Sequence, residues 1–446
     1  MKAILACLLL LFTFSHSDAA VRPNIVFFLI DDLGFADCGF NGGTEIRTPN
    51  IDKLAAGGTV LEHHYVQPVC SPTRAALMTG RYATRTGVYT IVRPHAKWGL
   101  PLEERTLATA LSEAGYTTAI TGKWHLGEFD KAYLPKARGF QHQHGHYFGA
   151  LDYFTHIRDG IEDWYHDDQP LKEEGYSTQL VTREAIRLIQ AQPKDKPLFL
   201  YMPFNAVHGP LQVPESYLQP YAVLTGARKQ LAGMLACLDE AIGQVIDALE
   251  KSGLRENTLI VFSSDNGGPP PGKNTPLRDF KGSLFEGGTR AAAFANWPGT
   301  IPSGQRIQEP MHIIDWFPTL VKLTGGNLEQ KLPLDGLDVW PMLTEKAPSP
   351  HEAILSVQST ENAAVRMGDW KLIVIGNGAA EPPEQSGKGK KAKKAKGRRA
   401  EPVMLFNLAK DPGETTNLAT QEPERLATLK AKLADLLKEA VPSGAK

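Results

Sequence analysis

With 446 residues, 42% of them hydrophobic, the chain can bury a sizeable core and is too apolar for a disordered or collagen-like polymer. Its 48 Lys and Arg nearly balance 49 Asp and Glu, for a formal net charge of -1, which excludes the strong basic footprint of a dedicated nucleic-acid binder. Four cysteines are too few for a disulfide scaffold.

The chain opens on Lys2, a mostly apolar run from Ala3 to Phe14, and a small and polar stretch from Ser15 to Ala20. These are the charged, apolar and small-residue parts of a signal peptide, and the run is too short to span a bilayer comfortably. Residues 1–19 are predicted to be removed, leaving an exported protein, periplasmic or secreted, with no stable membrane span. Cys7 leaves with that segment. Cys38, Cys70 and Cys237 remain, an odd number, so at least one thiol has no partner within the chain.

In chain order, the first predicted element is a strand over Ile25–Ile30, an apolar run bounded by Asp31-Asp32. Six residues apolar on both faces suit the interior of a parallel sheet. A helix over Pro49–Ala56 follows, with Pro near its start and Gly57-Gly58 at its end. Pro72 can open another helix running through Met78, and Leu107–Ala114 ends at Gly115. A strand over Thr117–Thr121 precedes Gly122-Lys123-Trp124-His125. A helix over Gln179–Gln190 comes before the strand Leu198–Met202, which leads to the loop carrying His208. A long helix over Gln230–Leu249 precedes the strand Leu259–Phe262, followed by Ser263-Ser264-Asp265-Asn266-Gly267-Gly268. Strands alternating with helices predict an α/β domain, a large mixed, mostly parallel sheet flanked by helices, over residues 20–345.

Beyond that the texture changes. Ala364–Ile375 and Val403–Leu408 look like short strands of a smaller antiparallel sheet, and Pro423–Ala440 like a closing helix with an apolar stripe. Residues 346–446 are therefore expected to form a smaller C-terminal subdomain. Within it, 376–402 is a basic insert with eight Lys and Arg between Gly387 and Arg399 and no aromatics, expected to be a solvated, flexible loop.

Each of the four apolar strands hands over at its C-terminal end to ionisable or amide side chains: Asp31-Asp32, Lys123/His125, His208 and Asp265-Asn266. Open α/β sheets bind ligands outside the carboxyl ends of their strands, so one shared site is the economical expectation.

The stretch Val69-Cys70-Ser71-Pro72-Thr73-Arg74 through Thr79-Gly80-Arg81 resembles the sulfatase signature, C-x-P-S/T-R followed by T-G-R. Gly115 to His125, Asp31-Asp32 and Asp265 to Gly268 resemble three further segments of that family, in the right order, and the likeness runs from Asn24 to the turn Asp411–Glu414. The fold implied is alkaline-phosphatase-like. The resemblance is strongest to the arylsulfatase B branch, N-acetylgalactosamine-4-sulfatase-like carbohydrate sulfatases.

The resemblance implies a set of roles. Cys70 would be oxidised by a formylglycine-generating maturation enzyme, and Asp31, Asp32, Asp265, Asn266 and position 70 would hold one Ca²⁺, with Mg²⁺ the alternative. Lys123 and Lys281 would bind the sulfate oxygens, with Arg74 orienting the metal ligands and the formylglycine hydrate. His208 would protonate the leaving oxygen and His125 would take a proton from the hydrate; the reverse assignment of the two histidines stays open. The expected substrate is a sulfated saccharide, galactose or N-acetylgalactosamine 4-O-sulfate, attacked from the chain end, with aryl sulfates as unselective probes.

Specificity is expected in the loops Tyr89–Leu100, Gly139–Asp168 and Pro269–Asp279. The middle loop carries Tyr147, Phe148, Tyr153, Phe154, Trp164 and Tyr165, which serve equally well as a floor for a sugar ring or as packing. His63, His64, His142, His144, His146 and His166 receive no catalytic role. Three alternatives compete: another positional carbohydrate sulfatase or broad arylsulfatase, a phosphomonoesterase or phosphodiesterase of the same superfamily, and an inactive polysaccharide-binding homologue. The second calls for more Asp and His ligands, and Asn266 stands where such an enzyme would carry His. The third would have lost Cys70, a metal ligand or the Lys/His group, and none is lost. The sequence carries no pattern that sets an oligomeric state.

Overall fold

The computed structural model describes residues 22–376 and 402–445. The predicted signal peptide, and the basic insert apart from its end residues Gly376 and Pro402, lie outside the described residues. Ten strands form the main sheet, in the order Gln305–Ile307, Thr59–Leu61, Ala293–Asn296, Thr258–Ser264, Asn24–Ile30, Leu198–Phe204, Thr117–Lys123, His142–His146, Tyr165–His166, Gln169–Pro170. The five from Thr258–Ser264 to His142–His146 run parallel, with Val26 opposite both Leu200 and Ile260.

Both faces of this sheet are covered, as the unbroken apolar runs demand. On the central strand Ile25, Phe27 and Leu29 point to one core, which includes the helix Cys70–Thr79. Val26, Phe28 and Ile30 point to the other, against Pro49–Ala56, Ser177–Ala191 and Gly226–Lys251. The predicted helix Pro49–Ala56 occurs with those bounds and the others with shifted ends, and the strand at Thr117 runs on to include Lys123.

The second sheet has four antiparallel strands, Ile354–Val357, Asn362–Met367, Trp370–Ile375 and Val403–Asn407. Alternation divides its residues. Leu355, Val365, Leu372 and Leu405 pack with Leu429 and Leu433 of the helix Pro423–Leu437. Ala364, Ile373, Met404 and Phe406 pack on Leu284 and Phe285, just beyond Lys281. This sheet thus backs the segment that presents Lys281. Among the described residues no helix is long and apolar enough to cross a membrane, and Cys38, Cys70 and Cys237 are all free and buried.

Candidate active site

Parallel neighbours bring three strand ends side by side. Asp31 donates its N–H to Ala206 O (3.1 Å), and its carbonyl accepts from Val207 N–H (2.7 Å). On the other flank Asp265 N–H donates to Ile30 O at 2.9 Å. Asp32 then turns into the left-handed region, φ 63°, a conformation that Asp adopts more readily than most residues. That turn lets two consecutive carboxylates serve one site. Asn266 donates from Nδ2 to Asp32 Oδ1 (2.7 Å), leaving its own Oδ1 buried without a donor. Asp31 Oδ1 is in the same condition. The segment packs so closely that a Cβ at Gly267 would lie 1.7 Å from Gly287 O, so no larger residue fits there.

Cys70 is the first residue of the helix Cys70–Thr79, whose N-cap residue, Val69, provides no side-chain cap. Position 70 therefore lies beside unsatisfied N–H groups at the positive end of the helix dipole. Its sulfur groups with carboxylate oxygens of Asp31 and Asp265, all within 4.8 Å of one another. One turn on, Arg74 donates from Nε (3.2 Å) and Nη2 (2.7 Å) to Asp265 Oδ2, and from Nη1 to Lys123 O (3.1 Å). It fixes a carboxylate and a strand end at once. Lys123 pairs with Asp31, and Lys281 Nζ lies 2.6 Å from Asp32 Oδ1. Three carboxylates are thus matched by three cations before any metal is counted.

The two histidines differ. His208 Nε2 is 3.6 Å from Asp32 Oδ2 and the side chain is 24% exposed, so it faces the opening. His125 is buried; Nε2 contacts Val92 O at 3.0 Å, while Nδ1 has no partner. Because a carbonyl only accepts, Nε2 carries the proton and Nδ1 keeps a free lone pair. A Cβ at Gly149 would come within 2.4 Å of His125 Nε2, so that glycine makes room for the ring.

The charges shift one another. Burial raises Asp31, but Lys123, His208, Arg74 and Lys281 outweigh it and hold the carboxyl below its ordinary range. Burial and the neighbouring Asp31 charge push Asp265 up to about 7 against Arg74. Burial, then Lys123 and Arg74, keep His125 well below an ordinary imidazole, hence neutral. Burial raises the Cys70 thiol against Lys123 and Lys281, so an unmodified sulfur stays protonated and is a poor nucleophile.

All ten residues singled out as catalytic or metal-binding are gathered in this region. Others that shape it carried no sequence signal. Ser71 Oγ donates to His125 O (2.9 Å) and accepts from Val92 N–H (3.0 Å), clamping the histidine to the loop Tyr89–Leu100. Asn274 Oδ1 accepts from Phe35 N–H and Gly268 N–H, both at 3.1 Å, pinning the Pro-rich loop onto the metal segment. Of the aromatics in Gly139–Asp168, Tyr147, Phe148, Tyr153 and Trp164 are buried as packing, and Phe154 is exposed. Tyr153 Oη lies 2.7 Å from the carbonyl oxygens of both Asn205 and His208 and so supports the His208 loop.

Comparison with known proteins agrees with this geometry. A sulfatase family profile matches residues 23–326, and the C-terminal region of aryl-sulfatase matches 349–443. Arylsulfatase J of Mus musculus is 37% identical, the alignment covering 94% of this chain and 77% of that protein. N-acetylgalactosamine-6-sulfatase of Mus musculus is 32% identical, over 90% of this chain and 83% of that protein. Among solved structures, that of Ps i-CgsB in complex with k-i-k-neocarrahexaose superposes with a TM-score of 0.85 at 32% identity, covering 95% of this chain and 94% of that one. The signature around Cys70, the fold and these relatives agree: the chain belongs to the sulfatase family and is a sulfuric ester hydrolase.

Proposed function

We propose that the protein is an exo-acting carbohydrate sulfatase that uses a formylglycine at position 70 and one Ca²⁺, with galactose or N-acetylgalactosamine 4-O-sulfate as the favoured ester. The observation that carries this reading is the buried grouping of Cys70 with Asp31 and Asp265, ringed by Arg74, Lys123 and Lys281. The residues fit a hard divalent cation: two buried oxygens, Asp31 Oδ1 and Asn266 Oδ1, have no donor, and burial together with the neighbouring Asp31 carboxylate raises Asp265. Asp31, Asp32, Asp265, Asn266 and the oxygen of a modified residue 70 would hold it. The ion, when bound, supplies positive charge to the sulfate oxygens and to the oxygen of residue 70. A formylglycine, made from Cys70 by a separate maturation enzyme, would supply a hydrated aldehyde as the nucleophile at position 70.

The chain's own groups do the rest. Lys123 and Lys281 neutralise sulfate oxygens as charge builds on them. Arg74 keeps Asp265 and the end of the Lys123 strand in place. His208, at the opening, protonates the departing sugar oxygen, and His125 accepts a proton at Nδ1, the atom its contact with Val92 leaves free. This supports the assignment of acid to His208 and base to His125. Residues 20–345 act as the catalytic domain and 346–446 as the subdomain that backs Lys281, in a protein exported on the signal of residues 1–19.

A saccharide substrate is supported by the neocarrahexaose bound to the structural neighbour and by the sugar named for N-acetylgalactosamine-6-sulfatase. That second name also favours a competing reading, desulfation at O6. The experiment is turnover of mature, Ca²⁺-loaded protein on galactose and N-acetylgalactosamine sulfated at O4 or O6, with an aryl sulfate as reference. Faster cleavage at O4 is expected; faster cleavage at O6 replaces the positional assignment. No cleavage of any sulfate ester overturns the reading altogether.

A further inference from the structure

We propose that His142, His166 and Glu184 form a second metal site, for a borderline transition-metal cation such as Zn²⁺, apart from the catalytic oxygen cluster. His142, His144 and His146 alternate along one strand and so share a sheet face. His166 is the register partner of His144 on the adjoining antiparallel strand. Glu184 comes from the helix Ser177–Ala191, which covers that face. One potential ligand atom from each of His142, His166 and Glu184 lies within 4.8 Å of the other two. Two imidazoles and one carboxylate with room for a further ligand are the donor set of an open zinc site, whereas carboxylates predominate in the catalytic cluster.

The surroundings point to a ligand as well. His142 Nε2 lies 2.7 Å from Glu184 Oε1, so the imidazole and the carboxylate are already held side by side, and a metal ion would take the place of this direct contact. On the far side of that ring, His142 Nδ1 is 3.2 Å from Asp167 Oδ1, the carboxylate–imidazole arrangement that turns Nε2 toward a metal. His144, with 3% of its side chain exposed, sets Nδ1 3.3 Å from His166 Nδ1 and Nε2 3.2 Å from Glu173 Oε2, so a second carboxylate–imidazole pair backs His166. A pocket of about 530 Å³ opens here, lined by His144, His166, Asp167, Glu173 and Glu184 among others, and shares no residue with the catalytic cluster. Arg187 holds Glu184 with contacts of 2.9 and 2.6 Å from a side chain that is 54% exposed, and a metal ion would compete with it for the carboxylate. The cation would join the outer strands to the helix and fix the base of the segment Gly139–Asp168.

The test uses full-length mature protein in excess Ca²⁺, dialysed against Zn²⁺ or Co²⁺. Expected are one retained transition-metal ion per chain, the intense visible bands of four- or five-coordinate Co²⁺ with nitrogen ligands, and a thermal midpoint that rises with Zn²⁺. The same equivalent should persist in Asp265→Ala. It should disappear in the double variant His142→Gln, His166→Asn with aryl-sulfate turnover retained, and bind roughly tenfold or more weakly in Asp167→Asn. Wild-type protein that retains no Zn²⁺ overturns the proposal, as does a folded double variant that retains as much. The wild-type measurements decide the matter even where the double variant does not fold.

Discussion

Two buried clusters of charge lie at opposite ends of the short segment from Lys281 to Glu286, and they differ in how completely they are satisfied. Around Lys281 are three carboxylates and three cations, yet Asp31 Oδ1 and Asn266 Oδ1 receive no donor. Around Glu286 the protein supplies a charged or hydrogen-bonding neighbour to each carboxylate oxygen, although Glu414 Oε1 has an ion-pair contact and no hydrogen bond. Lys371 Nζ lies 2.8 Å from Glu286 Oε1 and 3.1 Å from Glu414 Oε1, and the Tyr65 hydroxyl donates to Glu286 Oε2 at 2.8 Å. Glu414 Oε2 accepts Glu286 N–H at 2.6 Å, and Arg366 donates to the Tyr65 oxygen at 2.6 Å. The same residue types build a lock in one place and a receptacle in the other. Spare oxygen valence, more than the number of charges, separates a site from a structural network.

Substitutions can break or sharpen that contrast. The largest effect is expected at the receptacle: Cys70→Ser, made in a host that matures only Cys, should lower sulfate-ester turnover by at least about 10³-fold with little change in thermal midpoint. Activity that survives unchanged would remove position 70 from the chemistry. At the lock, Lys371→Met strands two buried carboxylates and should cost about 3–5 kcal/mol in denaturant unfolding, while the protein that stays folded keeps its KM. An unaltered midpoint would show that the network is dispensable.

His208→Ala should be smaller and selective, reducing kcat on sugar sulfates about 10²-fold and on an activated aryl sulfate much less, because a good leaving group needs no acid. Equal losses on both would contradict the leaving-group role. The smallest effect is a titration. His351 lies 2.8 Å from Asp315, whose charge raises the imidazole above its ordinary range although burial opposes this. A raised folded-state value means that the pair's contribution is fully present below about pH 6.5 and fades as pH rises through the shifted value. His351→Gln should therefore lose up to about 2 kcal/mol at pH 6 and progressively less at pH 9, read from midpoints at both. A pH-independent loss would deny the ion pair its role.

Much of the scaffold was legible because the interior strands are unbroken apolar runs, and a run such as Ile25–Ile30 has few other ways to bury both faces. The strand His142–His146 was not, since it has no apolar residue and becomes a strand only by pairing with Thr117–Lys123. Ile354–Val357 was missed because four residues with one polar member leave little pattern. In the site, Asp31, Asp32, Cys70, Lys123 and Asp265 stood out by motif and by position after strands. Ser71 and Asn274 did not, for their work is in contacts to backbone groups of other segments. The aromatics of Gly139–Asp168 show the same boundary. Composition allows Tyr153 and Trp164 as sugar platform or as core, and only packing chose core.

By itself, then, the sequence determined which chemical groups exist and that four of them follow apolar strands, because strand formation and helix capping depend on near neighbours. The tertiary structure decided which of those groups meet. Asp32 and Asp265 are 233 residues apart and come into contact because parallel pairing sets their strand ends side by side. It also decided which ring nitrogen of His125 stays free and which buried oxygens lack a donor, since hydrogen bonds are assigned by distance and direction that spacing along the chain does not encode.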